Sequence, residues 1–164
     1  MLHARIYETP VGELSIIADP STGTVSAAGF CPPQDLIDRL PGEPAWMVVK
    51  RLPLTDRAVA DYFKGNISAL DDIPVHQRGT ELQHEIWSGL RSIPGGSTAT
   101  YSELAATTSK PRAVRAAGTA CGRNLVAPIV PCHRALRSDG SLGGYYYGLD
   151  VKRWLLDHEA ANAL

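Results

Sequence analysis

The spacing of apolar residues changes part-way along the chain, and that change constrains the fold more than any other feature. In the first thirty residues the apolar runs are short and strand-like. "ARIYETP" and "ELSIIADP" flank the turn-type stretch "TPVG", and "TGTVSAAGF" follows "DPSTG" as a third run. They predict a small antiparallel sheet. "PPQDLIDRLPGEP" holds a brief helical pattern closed by Pro and Gly. "LTDRAVADYFKGN" places Leu54, Ala58, Val59, Tyr62 and Phe63 at helical spacing, with Gly65 as a stop. "SALDDIPVHQRG" reads as a connection between two parts.

Beyond it the pattern is helical. In "TELQHEIWSGLRSIP", Leu82, Ile86, Trp87 and Leu90 share one face of a helix that starts at Thr80 and ends before Pro94. Thr100 and Glu103 stand at capping-box spacing. "SKPRAVRAAGTACGRN" follows, with Pro111 expected in a first helical turn. Two short helices joined by a tight turn predict a helix-turn-helix. "DVKRWLLDHEAANAL" predicts an amphipathic terminal helix with Val151, Trp154, Leu155 and His158 facing inward. The expected class is α+β: an N-terminal antiparallel sheet with a helix over residues 1–75, then a mostly helical part over 76–164.

No apolar run approaches the ~18 residues of a membrane span. "MLHARIYETP" lacks the apolar stretch of a secretory leader. Cys31, Cys121 and Cys132 show no disulfide or zinc spacing. A cytoplasmic protein with reduced thiols, without metal, is the expectation. The net charge of −1 hides an asymmetry. Residues 1–100 carry 8 basic and 12 acidic side chains, whereas 101–164 carry 8 and 5. Between 101 and 137, Lys110, Arg112, Arg115, Arg123, Arg134 and Arg137 face Glu103 alone. A patch of this size suits a phosphate backbone, although a solvated basic face has the same composition. The second helix of the pair is rich in Ala and Gly and poor in side chains that read bases. That composition fits close approach to a nucleic-acid backbone or minor groove, or tight packing in a core.

"PIVPCHRAL" raises the chemical question. Cys132 adjoins His133, and a thiol attacks as its thiolate, which needs a base or a positive field nearby. In an extended strand adjacent side chains point apart, so a turn after Pro131 or a bridging water is required. A catalytic histidine is usually oriented by a carboxylate, which the residues alone do not identify. On this evidence Cys132 is either a nucleophile or a small buried hydrophobe.

"PCHR", preceded by "RAVRAAGTACGRN" and "TYSELA" and followed by "YYYGLDVKRWLLDHE", resembles the O6-alkylguanine-DNA alkyltransferases (methylated-DNA–protein-cysteine methyltransferases). "GTELQHEIWSGLRSIPGGSTATYSELA" and "TPVGELSIIAD" extend the resemblance over nearly the whole chain. It implies a ribonuclease H-like N-terminal part and a C-terminal part that binds DNA and accepts the alkyl group. Cys132 would take the alkyl group from guanine O6 once, irreversibly. His133 would deprotonate it through a water, Glu159 would hold His133, and Asn124 would brace the turn before the cysteine segment. Tyr101 would help rotate the nucleotide out, Arg115 would fill its place in the stack, and Ala116, Gly118 and Arg123 would meet the minor groove. Backbone groups of Cys132, Ala135 and Tyr146 would read the guanine edge, and Tyr145 would wall the pocket. The partner implied is double-stranded DNA carrying O6-alkylguanine. The protein would act as a monomer, cooperative along DNA, without membrane or cofactor, because the lesion brings its own alkyl group.

"GGYYYG" departs from the family's usual small residues near the pocket. Tyr146 and Tyr147 are expected to narrow it against bulky adducts. Three other readings were open to the sequence. A protein of the same fold that binds the lesion without repairing it would lack Cys132. A winged-helix regulator would bind DNA with an inert thiol. A cysteine hydrolase would ignore DNA.

Overall fold

The computed structural model describes residues 1–163. The elements are β1 (Leu2–Thr9), β2 (Gly12–Ala18), β3 (Val25–Gly29), α1 (Pro33–Ile37), β4 (Trp46–Val48), α2 (Pro53–Phe63), α3 (Glu81–Arg91), β5 (Ala99–Thr100), α4 (Tyr101–Ala106), α5 (Val114–Gly122), β6 (Ala135–Leu136) and α6 (Leu149–Asn162). This is the α+β class expected from the sequence. The chain forms two compact units, one of Met1–Gln77 with Leu125–Ile129, the other of Arg78–Asn124 with Val130 onward. Among the described residues no helix is long and apolar enough to cross a membrane.

In the first unit the sheet order is β3-β2-β1-β4. β1 and β2 form a hairpin in register from His3 opposite Ala18 to Thr9 opposite Gly12, leaving Pro10 and Val11 at the tip. Gly12 takes φ +106°, a conformation that side chains resist. β2 is central and covered on both faces, so Leu14–Ala18 are all buried and "ELSIIAD" does not alternate. Its one buried hydroxyl, Ser15, donates to the Cys31 carbonyl at 2.7 Å. The core joins Ala4, Ile17, Ala27, Leu36 and Ile37, with Trp46 and Leu125 packed against it. Leu125 belongs here because its segment docks on β3: Ala28 N–H donates to Leu125 C=O, and Ala127 N–H to Ala28 C=O. α2 turns Ala58, Val59 and Tyr62 inward, while Leu54 lies on its outer side and is exposed.

The second unit is helical apart from the short parallel pair β5–β6. Thr80 caps α3 and Thr100 caps α4, each with a complete capping box, through Gln83 and Glu103 respectively. Such a cap is worth about 1 kcal/mol relative to alanine. Pro111 departs from expectation. It sits in a turn closed by Ala113 N–H to Lys110 C=O, and α5 begins only at Val114. The connection 107–113 is correspondingly longer than a tight turn. α6 departs too. Its buried stripe is Lys152, Leu155 and Glu159, not Val151, Trp154 and His158. His158 stacks on Trp154, ring centroids 4.8 Å apart, on a half-exposed flank. Two charged residues displace the expected apolar face because each finds partners inside.

Candidate active site and nucleic-acid interface

After Pro131 the chain makes one 3-10 turn, Cys132–Arg134, closed by Arg134 N–H to Pro131 C=O at 3.0 Å. With three residues per turn, neighbouring side chains diverge by about 120°, so Cys132 and His133 escape the opposed arrangement of a strand. Both side chains are buried, with Cys132 9% exposed.

The orienting carboxylate is Glu159 of α6, whose Oε2 lies 2.8 Å from His133 Nε2. Arg134 grips the same carboxylate as a fork, Nε to Oε1 at 2.8 Å and Nη2 to Oε2 at 3.0 Å, and its Nη1 donates to the Ile93 carbonyl at 2.7 Å. Burial pushes the Glu159 carboxyl up, but the hydrogen bonds and charges of His133 and Arg134 outweigh it and hold the group well below the usual carboxylate range. Burial also lowers the proton affinity of His133, against the pull of Glu159. The resting pair is a carboxylate and a neutral imidazole. A carboxylate only accepts, so Nε2 carries the hydrogen and Nδ1 keeps a lone pair. Nδ1 is buried and has no hydrogen-bond partner among the described residues. It is a proton acceptor held in reserve.

Burial pushes the Cys132 thiol up, opposed by a hydrogen bond from Asn124 and by the charge of Lys152. Asn124 follows α5 directly, and its side-chain N–H donates to the Val130 carbonyl at 2.7 Å. One amide therefore links the end of α5 to the residues just before the nucleophile. The β5–β6 register sets Ala99 beside Ala135 and Thr100 beside Leu136, which brings the start of α4 alongside the cysteine segment. Burial, with Cys121 and Cys132 nearby, pushes the Tyr101 hydroxyl up to about 12. Gly143, at φ +71°, approaches that ring so closely that a Cβ would lie 2.9 Å from its hydroxyl. Ala135 is buried, Tyr145 is half-buried with its ring 5.8 Å from Tyr147, and Tyr146 is 64% exposed.

α5 has two faces. Ala117, Ala120 and Cys121 pack inward, and Trp87 Nε1 donates to the Ala120 carbonyl at 2.9 Å. The outer face is shallow. A Cβ added at Gly118 would meet nothing within 4 Å, so the packing of the chain itself does not require glycine there. Ala116 lies half-buried, and Arg115 and Arg123 project into solvent with Lys110, Arg112 and Arg137. Arg134 leaves the basic patch, because its charge is committed to Glu159.

Arg134 and Lys152 are the site residues that sequence reasoning missed. Lys152 is buried and donates to the carbonyls of Ala135, Leu142 and Gly144. The available signal was spacing: Lys152, Leu155 and Glu159 lie on one helical face. Among the described residues no cluster of His, Cys, Asp or Glu is arranged to hold a metal ion.

Residues 81–161 match the family profile described as 6-O-methylguanine DNA methyltransferase, DNA binding domain. The methylated-DNA–protein-cysteine methyltransferase of Haemophilus influenzae is 37% identical, the match covering 96% of this chain and 86% of that protein. The chain belongs to the methylated-DNA–protein-cysteine methyltransferase family. The relative from Salmonella typhimurium is 44% identical over 106 residues, 65% of this chain and 61% of its own length. Among solved structures, that of Mycobacterium tuberculosis OGT in complex with DNA superposes with a TM-score of 0.81 at 29% identity, covering 98% of this chain and 94% of that one.

Proposed function

We propose that this protein repairs DNA by moving the alkyl group of O6-alkylguanine onto its own Cys132, once per molecule. The observation that carries the reading is one 3-10 turn that holds buried Cys132 next in sequence to a buried His133–Glu159–Arg134 network. It supplies a nucleophile, a neutral base with a free lone pair and a fixed orienting charge. Family membership and the DNA complex of the Mycobacterium tuberculosis relative support duplex DNA as the partner.

In this reading the outer face of α5 lies in the minor groove. Gly118 and Ala116 permit close approach there, and Arg123 meets phosphate. Few of its side chains can read bases, which suits repair in any sequence context. Guanine O6 is inaccessible inside the stack, so the nucleotide rotates out, Arg115 enters the gap and Tyr101 crowds the backbone that must turn. Ala135, Tyr145 and Tyr146 receive the base. His133 Nδ1 takes the Cys132 proton through a water. The thiolate attacks the alkyl carbon, a carbon–sulfur bond forms as the carbon–oxygen bond breaks, and guanine leaves, recovering a proton. The thioether offers water no ready leaving group, so the reaction stops there.

The test is the intact mass of the protein after incubation with duplex DNA carrying one O6-methylguanine. Wild type should gain a single methyl group, mapped to Cys132, and Cys132→Ser should gain none. DNA binding without any gain would mark a lesion-binding or regulatory protein instead.

A further inference from the structure

The sheet of the first unit has one covered edge and one open edge. The β3 edge is covered: Val25 exchanges backbone hydrogen bonds with Pro74 and His76, and Ala28 with Leu125 and Ala127. β4 is the other edge. Leu2 N–H donates to Ala45 C=O at 2.9 Å, and Val49 N–H to Ala4 C=O at 2.8 Å. Along a strand in a ladder, successive residues turn their backbone groups to opposite sides. Ala45, Met47 and Val49 therefore serve β1, while Trp46 and Val48 present N–H and C=O outward. Among the described residues no other backbone hydrogen bond reaches Trp46 or Val48. Such an edge is a template for another strand, and here it also exposes the apolar side chains of Met47 and Val48.

The edge is complementary to itself. Glu43 precedes β4, and Lys50 and Arg51 follow it. Among the described residues none of the three has an ion-pair partner. Parallel addition of a second copy in register would set like charges together. Antiparallel addition about a two-fold axis at Met47 opposes Trp46 to Val48 of the second copy, and Val48 to its Trp46. Every outward N–H and C=O of both residues then finds a partner. The same register opposes Glu43 to Arg51 at both ends and sets the two exposed Met47 side chains together. Moving the axis to Trp46 would oppose Val48 to Pro44, which has no N–H. Moving it to Val48 would oppose Trp46 to Lys50, where the chain bends.

A cavity beside the strand fits this register. It measures about 320 Å³ and is lined by Ile37, Leu40, Pro44 and Trp46, with Asp38 and Glu43 adding negative charge. Apolar walls, an indole and two carboxylates suit the stem and ammonium of a lysine. With the axis at Met47, Lys50 of the second copy lies opposite Pro44, on the face of the strand to which Trp46 belongs.

We propose that two copies of this chain associate in the absence of DNA through antiparallel pairing of their β4 edges, each placing Lys50 in the other's cavity. The family resemblance implied a monomer. A contact built on a three-residue strand is smaller than the ~1,200–2,000 Å² of most stable interfaces, so the dimer is weak and forms only at high protein concentration.

The experiment is sedimentation velocity of the full chain without DNA, over rising concentration. Wild type should move from monomer to dimer, and salt should weaken the association. Val48→Pro removes an outward N–H that β1 does not use, so the variant should fold and stay monomeric. Arg51→Glu should weaken association several-fold, and Glu43→Lys added to it should restore most of the loss. A wild type that remains monomeric up to its solubility limit overturns the proposal. So does a dimer that persists in folded Val48→Pro, or one that Arg51→Glu leaves unchanged. Should Val48→Pro fail to fold, amide hydrogen exchange of wild type decides. The Trp46 and Val48 amides should exchange more slowly in concentrated than in dilute protein, and equal rates would refute β4 pairing.

Discussion

A cluster of charged and polar groups in the first unit and another in the second are built on different terms. In the first unit Arg5 pairs with Asp56 at 3.1 Å, the side chains 27% and 29% exposed. The Tyr7 hydroxyl donates to Asp56 Oδ1 at 2.6 Å and lies 2.7 Å from Thr55 Oγ1. This network sits at the rim, where water shares the cost of its charges. In the second unit His133, Arg134, Lys152 and Glu159 are all sealed from solvent. Replacing a buried ion pair with apolar residues is often neutral or stabilising, so stability alone does not account for such a cluster. The proposed chemistry gives a reason: burial keeps the His133 imidazole neutral and the Cys132 thiol protonated, while His133 and Arg134 keep the Glu159 carboxylate ionised.

The sharpest way to break this contrast is to remove one carboxylate from each network. Glu159→Gln leaves Arg134 buried without its counter-charge and frees the His133 ring. Breaking a buried pair in this way costs about 3–5 kcal/mol. Loss of an oriented base should slow methyl transfer by about 100-fold or more. Asp56→Asn at the rim should cost only about 1–2 kcal/mol and leave transfer unchanged. Denaturant unfolding and single-turnover transfer, measured on both variants, test this. Equal losses of stability would end the distinction between the networks.

Acid should separate them next. The folded state holds His133 neutral, so the unfolded chain takes that proton first and stability begins to fall below ~6.5. Glu159 is held low, so its contribution is complete above the ordinary value near ~4.3 and is lost as pH falls through and below it. Unfolding free energy measured down the acid range should therefore show an early decline that His133→Gln flattens. A profile level down to the carboxylate range would contradict the neutral assignment of His133.

Local signals announced much of this architecture and almost none of the buried charge. The hairpin turn "TPVG" and the Thr100–Glu103 box depend on residues a few positions apart, and both stand in the structure. β4 escaped because three residues, "WMV", make a strand only through parallel pairing with Leu2–Ala4, far away in sequence. The face of α6 was misjudged for the same reason. Hydrophobic spacing assigns Lys152 and Glu159 to solvent, but their partners come from other segments: the 3-10 turn, β6 and the loop before α6. Arg134 looked like part of a DNA-facing patch until Glu159 was found beside it. Adjacency suggested the Cys132–His133 pair, but the 3-10 turn that holds both residues is a matter of backbone path after Pro131.

A smaller effect tests the outer face of α5, where stability and function should move in opposite directions. Gly118 lies inside the helix with open space where its side chain would be. Glycine in a helix interior is worth about 0.5–1 kcal/mol less than alanine, so Gly118→Ala should stabilise the fold by that amount. If the small residue is there to admit a DNA backbone, the same methyl group should weaken duplex binding several-fold, readable by fluorescence anisotropy on undamaged DNA. Ala117→Gly on the inner face is the matching control: it empties packed volume and should lower stability without touching the groove-facing surface. A Gly118→Ala protein that is more stable and binds as well as wild type would take α5 out of the interface and leave the basic side chains around it as a solvated face.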